Sequence, residues 1–259
     1  MKTLKLEKRG AVATVRLSRP DQRNAVDETL AAELIETLNE LANDDSVRCV
    51  VLTGEGKAFC SGADLSQFEK DLTPEDVEVY LDTNYKPIIR AITTMSKPVI
   101  GSIGGAAAGA GMALALSCDL RIMSDNAGIY PAFINIGLVP DAGSSWFLAR
   151  HVGYSKALEF LIAGKGISAE TCLQWGLANR VVRPDMLEQE TFKWAQELAE
   201  KPTHAIGLTK KCLAFASTNS LDDSFDLEAK LQGMAVMTDD HSEGFRAFRA
   251  KETPKFTGK

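Results

Sequence analysis

The sequence predicts an α/β fold, with a parallel sheet packed by helices and a helical C-terminal region. Three observations carry this expectation. A strand, a helix and a second strand follow one another between Ala11 and Thr53, the order of a crossover unit joining parallel strands. A strand–turn–helix–strand passage from Val99 to Met123 repeats that plan without a repeat of fixed period. Beyond Arg183-Pro184 strand signal fades and helical stripes run to about Lys251. The chain is therefore expected to divide into a core, 1–184, and a helical region, 185–259, offering a packing or oligomerisation surface.

Each element has a local reason. Ala11 to Leu17 alternates as a strand does, and Arg19-Pro20-Asp21 turns the chain. From Asp27, Leu30, Leu34, Leu38 and Leu41 form the stripe of an amphipathic helix. Arg48 to Thr53 reads as a buried strand closed by Gly54-Glu55-Gly56. Thr73-Pro74-Glu75-Asp76 opens the next helix: Thr73 caps it, Pro74 suits the first helical position and Asp76 completes a capping box. Pro87 should kink or interrupt that helix before Met95. Val99 to Ile103 is a buried strand, followed by a Gly-rich turn, a buried helix ending near Ser117 and a strand around Leu120 to Met123. In the helical region, punctuation falls at Pro202, Ser220 and Asp239.

Composition narrows the function classes. With 29 Lys and Arg against 35 Asp and Glu, the net charge is −6 and no basic run is present, which argues against nucleic-acid binding through phosphate contacts. The odd, scattered cysteines (Cys49, Cys60, Cys118, Cys172, Cys212) contain no C-x-x-C and read as reduced thiols. The start MKTLKLEKRG lacks an apolar signal segment, so a cytoplasmic location is expected. Pro98 to Cys118 carries no charge and holds a G-x-x-x-G at Gly105 to Gly109. One such passage in mid-chain reads better as a buried strand and helix than as a membrane span.

Familiar catalytic motifs are missing. His151, His204 and His241 stand far apart, without metal-ligand spacing, so no metal site is expected. GGAAAGAG is followed by no G-K-[ST], fails G-x-G-x-x-G at Leu114, and no G-x-S-x-G occurs. Two small-residue turns remain, Cys60-Ser61-Gly62-Ala63-Asp64-Leu65 and Ala108-Gly109-Ala110-Gly111-Met112. Such turns let a ligand oxygen approach backbone N–H groups, and two converging donors make an oxyanion hole. Either turn alone is also explained by close helix–sheet packing.

These residues carry a resemblance. Lys57 to Leu65 resembles the FxxGADL/I signature of the enoyl-CoA hydratase/isomerase (crotonase) superfamily. Lys97-Pro98-Val99-Ile100 with the following Gly/Ala run and Cys118-Asp119 is similar to its second signature, and Gly137 to Gly143 to its third. The resemblance runs from Leu17 to the C-terminus. It implies a spiral of ββα units with a helical C-terminal region, assembly as homotrimers or homohexamers, and an acyl-CoA substrate with no further cofactor. It also implies that Ala63 and Ala110 supply the two oxyanion N–H groups, Ala110 standing where the family usually has Gly. Contacts to CoA and acyl group are implied along Arg23, Asn24, Ala25 and Ala58, at Ser61, Gly62, Asp64 and Leu65, and at Gly111, Phe133 and Pro140. Phe248 and Lys251 would come from a neighbouring subunit.

The departures decide the chemistry expected. The two glutamates of family hydratases fall, aligned without gaps from Lys97, on Ala113 and Phe133. Neither side chain moves a proton, which argues against efficient hydration. Asp141 remains, in an apolar Leu-Val-Pro-x-Ala-Gly setting that should raise its pKa. As Pro-Asp-Ala-Gly it also reads as a turn residue or as the cap of a helix starting near Ala142. A single carboxylate suffices for a 1,3-proton shift, so an isomerase is expected. The pattern is also similar to the phenylacetate-pathway ring 1,2-epoxyphenylacetyl-CoA isomerases, in the Gly-Ala-Gly turn, the Phe, the Pro-Asp element and the Phe256 to Lys259 end. Alternatives are an enoyl-CoA hydratase, a 4-chlorobenzoyl-CoA dehalogenase (Tyr85 and Lys86 standing near the family's histidine) and a non-catalytic acyl-CoA- or RNA-binding member. The pattern leaves the fold of residues 68–84, and so the shape of the acyl pocket, open.

Overall fold

A computed structural model describes residues 1–67 and 73–259. Residues 68–72, part of the stretch whose fold the sequence leaves open, lie outside the described residues. The chain begins with a hairpin, β1 (Leu4–Arg9) and β2 (Val12–Leu17), and then α1 (Glu28–Asn43). The core continues through β3 (Cys49–Gly54), β4 (Ala58–Cys60), α2 (Pro74–Tyr80), a π-helical turn (Leu81–Tyr85) and α3 (Lys86–Thr94). Next come β5 (Val99–Ile103), β6 (Ala106–Ala108), α4 (Ala110–Ser117), β7 (Leu120–Ser124) and β8 (Gly128–Tyr130). After a 3-10 turn at Ala132–Ile136 stand α5 (Ser144–Val152), α6 (Tyr154–Ala163), β9 (Ile167–Ser168), α7 (Ala169–Gln174) and β10 (Arg180–Val182). Four helices close the chain: α8 (Leu187–Ala199), α9 (Thr203–Ala216), α10 (Leu221–Val236) and α11 (Asp239–Ala250).

The strands sort into two sheets. The larger runs β1-β2-β3-β5-β7-β10, and the smaller β4-β6-β8-β9. Successive pairs β3/β4, β5/β6 and β7/β8 each give one strand to each sheet, so the chain winds as a spiral of ββα turns. All pairings within the larger sheet are parallel except β1 with β2. Both of its faces are covered, which is why β3 is apolar from Cys49 to Leu52. Val50 and Leu52 face the main core with α1 and α3, whereas Cys49 and Val51 face Trp194 and Ala195 of α8. The first helix after residue 184 thus packs on the core sheet.

The helix signals hold in detail. Asp27 caps α1 by accepting from the Leu30 N–H at 2.7 Å. Thr73 and Asp76 form the reciprocal capping box on α2. Pro87 is expected to kink or interrupt the helix before Met95, and the α-helix is interrupted by the π turn just before it and resumes as α3. The charge-free passage 98–118 is β5, β6 and α4, and among the described residues no helix is long and apolar enough to cross a membrane.

Candidate active site

Two turns meet at the carboxyl ends of β4 and β6. Gly62 has φ 96° and no room for a side chain: a Cβ there would lie 3.0 Å from the Ala108 carbonyl oxygen, 3.2 Å from the Ala110 nitrogen and 3.6 Å from the Gly111 nitrogen. Gly111 packs closer still, its Cβ position lying 2.2 Å from the Cys60 carbonyl oxygen. A side chain at Gly111 would force the turns apart, and one at Gly62 would press on the second turn from a backbone conformation that L residues rarely adopt. Their convergence, invisible in sequence, is therefore built from backbone contact.

The direction of the donors follows from hydrogen bonding. Val26 bridges Ala63 in parallel: its N–H donates to Gly62 O at 2.8 Å and its carbonyl accepts from the Asp64 N–H at 3.0 Å. In extended backbone, alternate residues turn their polar groups to opposite edges. The Ala63 N–H therefore turns away from Val26, and Ala63 lines the cavity beside Ala110. Ala110 is the first residue of α4, where N–H groups lack intrahelical acceptors and the helix dipole favours negative charge.

The cavity measures ≈ 330 Å³. Ser61, Gly62, Leu65, Phe133 and Asp141 also border it, and Asp141 contributes its only carboxylate among the described residues. Phe133 is buried in the 3-10 turn after β8, and its ring lies 3.9 Å from where a Gly109 Cβ would stand. Asp141 is half-buried, and its Oδ1 is buried without a hydrogen-bond partner. Burial pushes its pKa up to about 6, opposed only by a bond from its own backbone N–H. Asp141 does not cap α5: that position belongs to Gly143, and the Asp141 carbonyl accepts from the Ser144 N–H at 2.8 Å. Ala142 between them has φ 48°, a strained conformation for alanine.

The other expected residues stand around this centre rather than on it. Asn24 is fully buried and its Nδ2 donates to the Glu55 and Ala58 carbonyls at 3.0 and 2.8 Å, fixing the loop before β4. Arg23 is exposed in the left-handed region, its carbonyl accepting from Ser61 N–H at 3.1 Å, and Ala25 and Ala58 are buried. Asp64 is buried and paired with Arg19 at 2.9 Å, so it holds the turn. Gly111 lies behind Ala110, and Pro140 is half-buried next to Asp141. Phe248 is 82% exposed on α11 and Lys251 ends that helix, both outside the cavity of their own chain. Ala113, at one hydratase glutamate position, is buried inside α4.

Sequence reasoning missed Val77, Tyr80 and Leu81, which form one wall. Their i, i+3, i+4 spacing after the capping box was the available signal. It also missed Ile136 and Leu138 on the opposite lip. None of the three histidines borders the cavity, and among the described residues no cluster of His, Cys, Asp or Glu could hold a metal.

Residues 7–259 match the enoyl-CoA hydratase/isomerase family, to which the chain belongs. It is 38% identical over 250 residues to 1,2-epoxyphenylacetyl-CoA isomerase of Escherichia coli K12, covering 96% of this chain and 95% of that protein. It is 33% identical to 4-chlorobenzoyl coenzyme A dehalogenase-2 of an Arthrobacter species, covering 96% and 91%. The crystal structure of an enoyl-CoA hydratase subunit I from Geobacillus kaustophilus HTA426 superposes with a TM-score of 0.93 at 35% identity, covering 99% of this chain and 98% of that one.

Proposed function

We propose that the protein is an acyl-CoA isomerase working through a thioester enolate. The observation that carries this reading is Asp141 as the single carboxylate, among the described residues, on a mostly apolar cavity. The thioester oxygen would sit between the Ala63 and Ala110 N–H groups. Asp141 would take a proton from C2 of a 3-enoyl-CoA, the electron pair would delocalise onto the thioester oxygen, and the same carboxyl would return the proton at C4. The product is a conjugated 2-enoyl-CoA with no net gain or loss of atoms. A pKa near 6 leaves Asp141 largely ionised at neutral pH yet basic enough to exchange protons. Buried Phe133 puts an apolar ring on the cavity, and among the described residues no second carboxylate borders it to activate a water, which disfavours hydration.

The likeness to the 1,2-epoxyphenylacetyl-CoA isomerase supports rearrangement of a ring-epoxide acyl-CoA as the form this chemistry takes here. The dehalogenase reading, with Asp141 as nucleophile, finds no histidine at the cavity to serve as base. The reading needs no cofactor beyond the CoA of the substrate. Phe248 and Lys251 are free to reach CoA in a neighbouring subunit of a trimer or hexamer. The test is to supply a linear 3-enoyl-CoA and follow the ultraviolet band of the conjugated thioester. Its appearance with the parent and not with Asp141→Asn supports the proton shuttle. Loss of absorbance from a 2-enoyl-CoA as water adds, with no isomerisation, would replace it with hydration.

A further inference from the structure

The π-helical turn between α2 and α3 places a tyrosine on the oxyanion turn. In that turn the Lys86 N–H reaches back to the Leu81 carbonyl, one residue further than in an α-helix. Asn84 Nδ2 donates to the Tyr80 carbonyl at 3.1 Å. The wider turn brings Tyr80 and Tyr85 onto one inner face, their rings edge-on with centroids 5.9 Å apart.

Tyr80 then does two things. It lines the cavity with Phe133, and its hydroxyl donates to the Val26 carbonyl at 3.0 Å. That carbonyl is the oxygen that accepts the Asp64 N–H at 3.0 Å. Val26 is also the residue whose bridge turns the Ala63 N–H away from itself, at a residue that lines the cavity. Burial pushes the Tyr80 phenol up to about 12, so it stays a protonated donor throughout the working range.

We infer that Tyr80 is a positioning residue for the oxyanion hole, its hydroxyl fixing the Val26 carbonyl and through it the aim of the Ala63 N–H. The inference rests on the proposed oxyanion role of Ala63. Oxyanion donors act only when aimed at the place where charge develops. When the Val26 carbonyl loses the Tyr80 hydroxyl, the Val26 strand that holds Gly62 O and the Asp64 N–H can shift, the Gly62–Ala63 peptide plane tilts with it, and the donor then serves the ground state nearly as well but the enolate less well. Loss should therefore fall on kcat rather than KM.

Tyr80→Phe keeps the ring and removes one O–H. With a 3-enoyl-CoA, kcat should drop about tenfold, less than the roughly 10²–10³ lost when a donor is removed outright. KM should stay within about twofold, and the pH midpoint of kcat should not move. A second readout is independent of turnover: the infrared stretch of hexanoyl-CoA carrying ¹³C at the thioester carbonyl. The parent should lower that stretch on binding, and Tyr80→Phe should return part of the shift. An unchanged stretch and kcat with a lower melting temperature would reduce Tyr80 to a structural strut and overturn the inference. An unchanged stretch with a displaced pH midpoint would overturn it in favour of an action on Asp141. A parent that polarises the labelled carbonyl but isomerises nothing would remove the isomerase reading and leave the Tyr80 inference standing. A parent with no polarisation would remove both.

Discussion

The Arg19 guanidinium lies 2.9 Å from the Asp64 carboxylate, 45 residues away in sequence, and 3.0 Å from Asp27. Asp27 caps α1, and Asp64 also accepts from the Ser66 N–H and hydroxyl at 3.2 and 2.6 Å. One guanidinium thus ties the first long helix to the turn that carries Ala63. The Asp64 carboxyl is held below its ordinary pKa by hydrogen bonds from Ser66 first and then Arg19.

Arg19→Ala should leave two mostly buried carboxylates without their cation and destabilise the fold by about 3 kcal/mol. The pH dependence has a definite sign. A depressed folded-state pKa stabilises above the ordinary carboxylate range, and this is lost as pH falls through the folded value. The melting-temperature gap between parent and Arg19→Ala should therefore be widest near neutrality and narrow below about pH 4. A constant gap across that range would count against the pairing.

Asp141 has the opposite sign. Its raised folded-state pKa favours the protonated native form, so the associated stability is present below about 4 and lost as pH rises through about 6. Asp141→Asn removes that loss, and should melt higher than the parent above pH 6 by up to roughly 2 kcal/mol of stability. The difference should shrink toward pH 4. Activity moves the other way: the parent's kcat should rise with pH through about 6 as the base ionises, and the variant should lose most of its rate. Calorimetry and the pH–rate profile check the two halves separately. A variant that is less stable at pH 8 would mean that Oδ1 has a partner in solution.

Gly111→Ala tests the backbone packing of the two turns. With 2.2 Å between the added Cβ and the Cys60 carbonyl oxygen, both being backbone-fixed, the turns must separate. A loss of about 3 kcal/mol or more is expected, together with loss of activity, because the added methyl has no empty space to enter. The reverse contrast is Gly137→Ala, where a Cβ meets nothing within 4 Å but φ is 73°. That change should cost only about 1 kcal/mol of backbone strain. Chemical denaturation of the two variants side by side gives the comparison.

What the sequence made legible is what depends on local chemistry. The leucine stripe of α1, the capping box of α2 and the apolar run of β3 all state their structure locally, whereas the Asp27 cap of α1 emerged only in the structure. The missed strands β4, β6 and β8 have three residues each and sit in Ala- and Gly-rich text, where alternation has no length in which to show. They exist because their neighbours in the spiral offer backbone partners. In the same way, Asp141 was legible as a candidate carboxylate from its apolar flanks. Its unpartnered, buried oxygen was not, because that depends on Tyr80, Leu81 and Phe133 arriving from elsewhere. Pro87 was legible in the same local way: the α-helix gives way to a π turn just before it, though the form of that interruption depends on the packing around it.

The C-terminal end is held by charges placed far from it in sequence. Asp240 is buried and its carboxylate accepts from the Thr257 and Gly258 N–H groups at 2.6 and 2.8 Å, while its own N–H donates to the Lys259 carbonyl at 3.0 Å. Arg48, just before β3, donates to the Phe256 carbonyl at 2.8 Å and the Lys201 carbonyl at 2.6 Å. The tail is thereby stitched to α11, to the start of α9 and to the core sheet. Asp240→Ala leaves two backbone donors without their acceptor, and a loss of about 1–3 kcal/mol follows if the tail stays in place. Release is the cheaper response, since a freed tail can hydrate those groups. Hydrogen exchange should therefore show residues 256–259 and the first turn of α11 losing protection in Asp240→Ala, with β3 and α4 unchanged. Equal loss across the core would mean that the tail is a cooperative part of the fold rather than a separately fastened strap.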